Sequence, residues 1–311
     1  MALKPLNKSL PAAVTPEIRP KKQTKVAVSI HRQRQPEDVG VNDENKAPPL
    51  VPPPADAAAS ACIDYYISSE NLKALPDPEI KIQSLAEGLE SRDWLRVCDS
   101  LNNARRLVLY HSSLLFPILE KVMLVLVKGM KNPRSALCKT SIMTASDIFN
   151  TFADKLLLES TTSDAFDHLL LQLLLKASQD KKFVCEEADR ALNAMVGSMS
   201  PLALFHRLRA YVGHANPRVR AKAAISMAHC ASNMGLEPMK EFGLPSMIQL
   251  ASDLLNDRLP EAREAARSMV TSMYVALTEN EEQKQETWQA FCQSNLPAIH
   301  AQSMVKLLSS Q

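Results

Sequence analysis

Asn132-Pro133-Arg134-Ser135-Ala136-Leu137-Cys138 leads into an apolar stripe, Cys138, Ile142, Ala145, Phe149 and Phe152, whose spacing by fours and threes marks one face of a helix. Asn followed by Pro ahead of such a stripe is a helix start. The Asn side chain can accept from backbone N–H groups that lack a partner, and Pro in the first turn forfeits no hydrogen bond. The same tripeptide returns as Asn216-Pro217-Arg218, ahead of a second stripe, Val219, Ala223, Met227 and Cys230. A repeated start before a repeated stripe points to a repeated structural unit.

Working outward, three more loops have the same form: Asp93-Trp94-Leu95-Arg96-Val97, Asp180-Lys181-Lys182-Phe183-Val184 and Asp257-Arg258-Leu259-Pro260-Glu261. Val97, Leu101, Ala104 and Val108 follow the first, and Val184, Ala188 and Leu192 follow the second. The five starting points lie about 36 to 48 residues apart, the period of helix-pair repeats. Pairing each stripe with the apolar helix before it divides the chain into six units: 77–109, 112–154, 162–198, 200–234, 238–278 and 280–307. Ser200-Pro201 opens a first helix by the same chemistry. The expectation is an all-α protein, an α-solenoid of about six HEAT-like helix pairs, occupying residues 59–311.

Composition agrees. Gly stands at 7 of 311 residues and aromatics at 5%, so helix formers prevail over strand formers. Residues 1–58 differ: they hold half of the 20 prolines and little apolar periodicity. Such a segment buries too little surface to offset its ordering entropy, so a disordered N-terminal tail is expected. Arg19, Lys21, Lys22, Lys25, Arg32 and Arg34 run through it without an intervening acid, reading either as a solubilising tail or as an arm for a polyanionic surface. Thr15-Pro16 beside that run is a candidate proline-directed phosphorylation site, where added negative charge would weaken contact with an acidic partner.

Several function classes receive no support. The net charge is +2, so no overall field argues for nucleic acid. The six cysteines, Cys62, Cys98, Cys138, Cys185, Cys230 and Cys292, form no Cys-x-x-Cys pair and fall mostly within helical stripes, as small core residues of a reducing compartment do. The start of the chain lacks an apolar signal region. The most apolar stretch, Val122–Val127, is too short to span a bilayer, so a cytoplasmic protein without membrane contact is expected. The histidines share no ligand spacing, and no Gly-rich phosphate loop or nucleophile elbow occurs. His229 and Cys230 diverge by about 100° on one helix and cannot act together. No enzyme, cofactor or metal is expected, and the chain is read as monomeric.

What remains is a row of short turns carrying Trp94, Arg134, Lys181, Lys182, Arg218 and Arg258 along one edge of the stack. Burial is the common fate of a Trp. A position in a loop just ahead of a helix instead suits a binding anchor, because Trp and Arg are over-represented among hot spots. Trp288 lies in a polar helix and is assigned to packing. Arg220 and Arg263, one turn into their helices, are expected to form a structural ladder with the Asp or carbonyl groups of the adjacent repeat.

Asp93-Trp94-Leu95-Arg96-Val97 with Leu101 and Arg105, the basic second turn at 132–138 and the lysine-bearing third turn at 180–184 resemble a TOG domain of the CLASP N-terminal or crescerin-like type. The resemblance covers about residues 77 to 307. Ile67-Ser68-Ser69-Glu70-Asn71 and the stretch 132–140 are also similar to plant single-TOG proteins of the ARM-repeat superfamily. The resemblance implies a flat paddle that binds tubulin or microtubules through its turn edge, located at the cytoskeleton. Carried over turn by turn, it assigns tubulin contact to Trp94, Arg96, Arg134, Lys181, Lys182, Arg218 and Arg258. Arg19, Lys21, Lys22 and Lys25 of the tail would add affinity for the lattice. Pro133, Pro217 and a fifth turn with Arg258 as its one clear cation depart from the family pattern. A generic HEAT or ARM scaffold that holds partners on its broad helical faces is the alternative.

Overall fold

The structure, a computed structural model, describes residues 67–309. The expected tail, with Thr15, Arg19, Lys21, Lys22 and Lys25, lies outside the described residues, as does Cys62. Every regular element among the described residues is helical.

The six expected pairs are present. They are α1 (Pro78–Leu89) with α2 (Trp94–Tyr110), then, after the short α3 (Ser112–Leu115), α4 (Leu119–Lys131) with α5 (Ser135–Phe152). Next come α6 (Ser160–Ala177) with α7 (Lys182–Ser198) and α8 (Pro201–Leu208) with α9 (Pro217–Asn233). The short α10 (Leu236–Phe242) precedes α11 (Leu244–Leu255) with α12 (Pro260–Thr278), and α13 (Lys284–Asn295) with α14 (Ala298–Ser309) ends the stack. The periodicity did not separate out α3 and α10, because each is a brief turn of helix within a longer inter-repeat connection.

The second helices make one continuous layer. α2 packs on α5 and α5 on α7, and α9 packs as closely on α12, while the α7–α9 junction is thinner. Every residue of the four stripes read from the sequence is buried. That burial is what holds the stack: each fully covered aliphatic side chain contributes about 1.5–3 kcal/mol, and each stripe can be covered only by a neighbouring helix. Small residues set the closest approaches. A Cβ built on Gly88 would fall inside contact distance of Ser100 Oγ, and one on Gly129 would do the same with Ser141 Oγ, so the first and second helices of the first two repeats cross where only glycine fits. In the later repeats the second helices bring Ala223, Ala224, Ala262 and Ala266 into the buried layer.

Ahead of α1 the chain lies across the second-helix layer as a strap. A turn of 3-10 helix, Ser69–Asn71, is followed by Leu72, which is buried. Arg105 of α2 reaches it from beneath, donating from Nη1 to the Ile67 carbonyl at 2.6 Å and from Nη2 to Ser69 Oγ at 3.0 Å. The same guanidinium donates from Nε to Asp147 of α5 at 2.6 Å, and Ser69 Oγ donates to the other Asp147 oxygen at 2.6 Å. Tyr110 closes the far end, its hydroxyl donating to the Leu72 carbonyl at 2.7 Å. The strap lies within the expected domain of residues 59–311 but ahead of the first helix pair, which the periodicity begins at Asp77. The strap begins earlier because it is held by polar groups rather than by an apolar stripe.

Candidate functional site

At four of the five turns an Asp or Asn side chain accepts from the backbone N–H two residues on, and at two of them this is the helix cap that the sequence chemistry predicts. Asp93 Oδ1 accepts from the Leu95 N–H at 3.0 Å, Asn132 Oδ1 from Arg134 at 2.9 Å, Asn216 Oδ1 from Arg218 at 3.0 Å and Asp257 Oδ1 from Leu259 at 2.9 Å. Asp93 and Asn216 thereby cap their helices, each satisfying a first-turn N–H, whereas Asn132 and Asp257 accept from residues that still precede the first helical residue, so Pro133 lies ahead of α5 rather than in its first turn. Asp180 is the exception. Its carboxylate accepts from Nη1 of Arg218 in the next repeat, and the third turn is closed by backbone alone, with the Lys181 carbonyl accepting from Val184 and Cys185 at 3.0 Å each.

Contacts between successive turns make the edge continuous. The Arg134 guanidinium lies over the Trp94 ring, 5.5 Å from its centroid, joining the second turn to the first. Lys139 of α5 pairs with Glu187 of α7 at 3.6 Å, joining the helices that follow the second and third turns. Arg218 ties the fourth turn to the third through Asp180. Arg220 ties the fourth to the fifth, Nε donating to Asp257 Oδ2 at 2.7 Å. Asp257 is held below the ordinary carboxylate range: burial alone would raise it, and the Arg220 hydrogen bond with the Leu259 and Arg258 amides more than offsets that.

Along this edge Trp94 is half-buried, its ring packed against the core on one side and covered by Arg134 on the other. It is neither a fully enclosed core residue nor a free-standing anchor. Arg96, Arg134, Lys181, Lys182 and Arg258 are exposed. Lys182 makes only a long ion pair with Glu186 one turn on, at 3.8 Å, which contributes little when solvated. The Arg258 carbonyl accepts from Arg263 at 3.1 Å while the Arg258 side chain faces water. Arg218 departs from the solvated cation the sequence suggests. It is engaged by Asp180 and also donates to the Ser178 carbonyl at 3.4 Å.

The expected ladder is half correct. Arg220 does pair with the Asp of the next repeat. Arg263 does not: it donates to the Asp257 and Arg258 carbonyls of its own turn, at 2.9 and 3.1 Å. Arg220 makes the same internal clamp on the His214 and Ala215 carbonyls. The common device is therefore an arginine that braces the turn behind it, and Arg220 reaches across because Asp257 lies beside it. Trp288 is 1% exposed, edge-on to Tyr274 with ring centroids 5.7 Å apart, as its packing assignment requires.

Sequence reasoning passed over two features of the edge. Phe183, next to Lys182, is an exposed aromatic on the third turn. Between the third, fourth and fifth turns lies a cleft of about 600 Å³ bordered by Lys182, Glu186, Arg218, Lys222, Leu259 and Glu261. Among the described residues no cluster of His, Cys, Asp and Glu could hold a metal ion, and no helix is long and apolar enough to cross a membrane. Burial raises the thiols of Cys98 to about 11 and of Cys230 and Cys292 to about 12, which suits them to packing rather than nucleophilic chemistry.

No family model matches the chain. It is 26% identical over 195 residues, 60% of its length, to the TOG array regulator of axonemal microtubules protein 1 of Mus musculus. It is 29% identical over 130 residues, 42% of its length, to the Homo sapiens protein of the same name. The chain covers 11% and 7% of those two proteins. Among solved structures, the TOG domain of C. elegans Zyg9 superposes with a TM-score of 0.55 at 16% identity, over 84% of this chain and 97% of that one. The MAST/Orbit N-terminal domain superposes with a TM-score of 0.50 at 12% identity, over 73% and 95%. The solenoid described above has the fold of these domains.

Proposed function

We propose, from the TOG-domain fold, that this chain is a microtubule-associated protein whose turn edge binds tubulin. The observation that carries this reading is the edge itself. A half-buried Trp94 held flat by Arg134 stands at one end, and the exposed cations Lys181, Lys182 and Arg258 follow along the same row of helix starts. A partly covered aromatic held by a guanidinium has little entropy left to lose on binding, and the cations beside it suit a partner with an acidic surface. The relatives' description as regulators of axonemal microtubules supports the same partner.

In this reading Trp94 and Arg134 seat on one part of the tubulin surface, and Arg96, Lys181, Lys182, Arg218 and Arg258 provide the charged contacts. Arg19, Lys21, Lys22 and Lys25 add salt-sensitive affinity for the polymer, and phosphorylation of Thr15 lowers it. The chain acts without catalysis, nucleic acid or a membrane, as a single copy at cytoplasmic microtubules.

Co-sedimentation with microtubules tests this. Trp94→Glu combined with Lys181→Ala and Lys182→Ala abolishes pelleting, and removal of residues 1–58 weakens it with a reduced salt dependence. Full pelleting by the triple variant would sink the edge reading and leave a scaffold that uses its helical faces.

A further inference from the structure

We infer that Phe183 is a second apolar anchor of the turn edge, fitting a hollow of the bound protein surface that is apolar at its centre and rimmed by carboxylates. The inference rests on the edge being the binding surface, and it adds a contact that neither the turn cations nor Trp94 supply.

Phe183 is the second residue of α7 and is 44% exposed, whereas Val184 beside it is buried. The phase of α7 dictates this. Val184, Ala188, Ala191 and Met195 face the core, so Phe183 falls on the neighbouring row with Glu187, Arg190 and Ala194. Glu187 on that row is paired with Lys139 of α5 at 3.6 Å, so the row lies along the α5 side of α7, next to the helix that carries Arg134 at its start. The backbone beneath Phe183 is fixed by the two hydrogen bonds that the Lys181 carbonyl accepts from Val184 and Cys185.

The other large exposed apolar side chains lie elsewhere. Leu109, Tyr110 and Val275 stand at or near the C-terminal ends of second helices, Leu158 follows α5 and Ile80 is near the start of a first helix, all toward the opposite edge, while Leu124 lies midway along α4. Ile299 is at the sixth turn, with His300 beside it rather than a Lys or Arg. Phe183 alone of this group has lysines immediately before it on an exposed turn. An exposed aromatic on a fixed backbone, preceded by Lys181 and Lys182, matches a recess whose floor is apolar and whose border is acidic, the arrangement in which a central aromatic dominates and the surrounding charges exclude water and steer.

The test uses the full chain and polymerised microtubules, with binding constants from pelleting and urea midpoints as a check on folding. Phe183→Ala is expected to weaken binding about tenfold or more while leaving the urea midpoint in place. Phe183→Lys separates apolar anchoring from charge, because it adds a cation at the same position; it is expected to lose as much. Leu158→Ala, removing a still more exposed apolar side chain (77% against 44%) from the opposite edge, binds as the parent does. Unchanged affinity in Phe183→Ala while Trp94→Ala binds poorly overturns the second anchor and leaves the edge reading intact. Parental affinity in Phe183→Lys overturns it in favour of charge alone. If Trp94→Ala and Phe183→Ala both bind as the parent, the edge reading fails and the anchor fails with it.

Discussion

The Arg105 guanidinium and the Asp147 carboxylate meet at 2.6 Å between α2 and α5, with side-chain exposures of 0% and 5%. The pair is completed by Ser69, Asn102 and the Ile67 carbonyl, so nearly every polar position around the guanidinium is occupied. It joins the first repeat to the second and holds the strap to both. Because its partners come from three separate parts of the chain, it can form only after the first two repeats have packed.

Arg105→Ala leaves the Asp147 carboxylate enclosed without its counter-charge and releases the strap. Loss of one member of a buried pair costs about 3–5 kcal/mol. Urea unfolding followed by circular dichroism measures this, and a loss below about 1 kcal/mol would mean that water or another group replaces the guanidinium. Replacing both residues by apolar ones of similar volume is expected to restore part of the stability and none of the strap.

Asp257 supplies the pH dependence. Its carboxylate is held below the ordinary value of 3.8, so the folded state favours the charged form, and its contribution is fully present above that value. As pH falls through the lowered folded value the Asp is protonated and the contribution disappears. Asp257→Asn therefore costs about 1.5–3 kcal/mol at pH 7, the range for a hydrogen bond to a charged group. The difference from the parent shrinks as pH is taken below 3.8. A gap that stays constant between pH 7 and pH 3 would refute the linkage.

Gly129→Ala reverses the usual sign of a glycine substitution within a helix. Helix propensity alone would favour Ala by about 0.8–1.0 kcal/mol. The added methyl, however, would meet Ser141 Oγ, which is itself fixed by a 2.8 Å hydrogen bond to the Leu137 carbonyl. A net loss of about 1–3 kcal/mol is expected, as for other overpacked sites. In a Ser141→Ala background much of that loss returns. Equal effects in the two backgrounds, read from thermal or urea midpoints, would show that the helix crossing is looser than described.

Asp180 engages Arg218 on the solvent side of the edge, where such a pair contributes about 0–1 kcal/mol. Asp180→Asn accordingly leaves the urea midpoint nearly unchanged. It frees Arg218 and removes a negative charge from a surface proposed to face an acidic partner. Microtubule affinity at low salt is expected to rise about twofold to fivefold, with the gain vanishing as ionic strength increases. Weaker binding would instead mean that Asp180 orients Arg218 for contact.

The helix pairs, their order and the positions of the five turns were legible in the chain alone, because each is written locally. A stripe such as Cys138, Ile142, Ala145 and Phe149 announces its helix by spacing, and Asn132 or Asn216 announces the start by the N–H it can accept from. The chemistry of the edge was legible only in part. Nothing local to Arg218 says that it meets Asp180, or that Arg263 turns back on its own carbonyls while Arg220 also crosses to Asp257. Nor does the run Ile67-Ser68-Ser69 announce a strap, since its partner Asp147 lies 78 residues from Ser69. Those pairings depend on how far each repeat rotates and slides against its neighbour, a displacement summed over many weak apolar contacts that no short stretch of sequence encodes. The chain by itself thus determined a repeating stack with a row of cationic turns. Tertiary packing decided which of those cations are engaged, and that Trp94 is stacked under Arg134 while Phe183 is left uncovered.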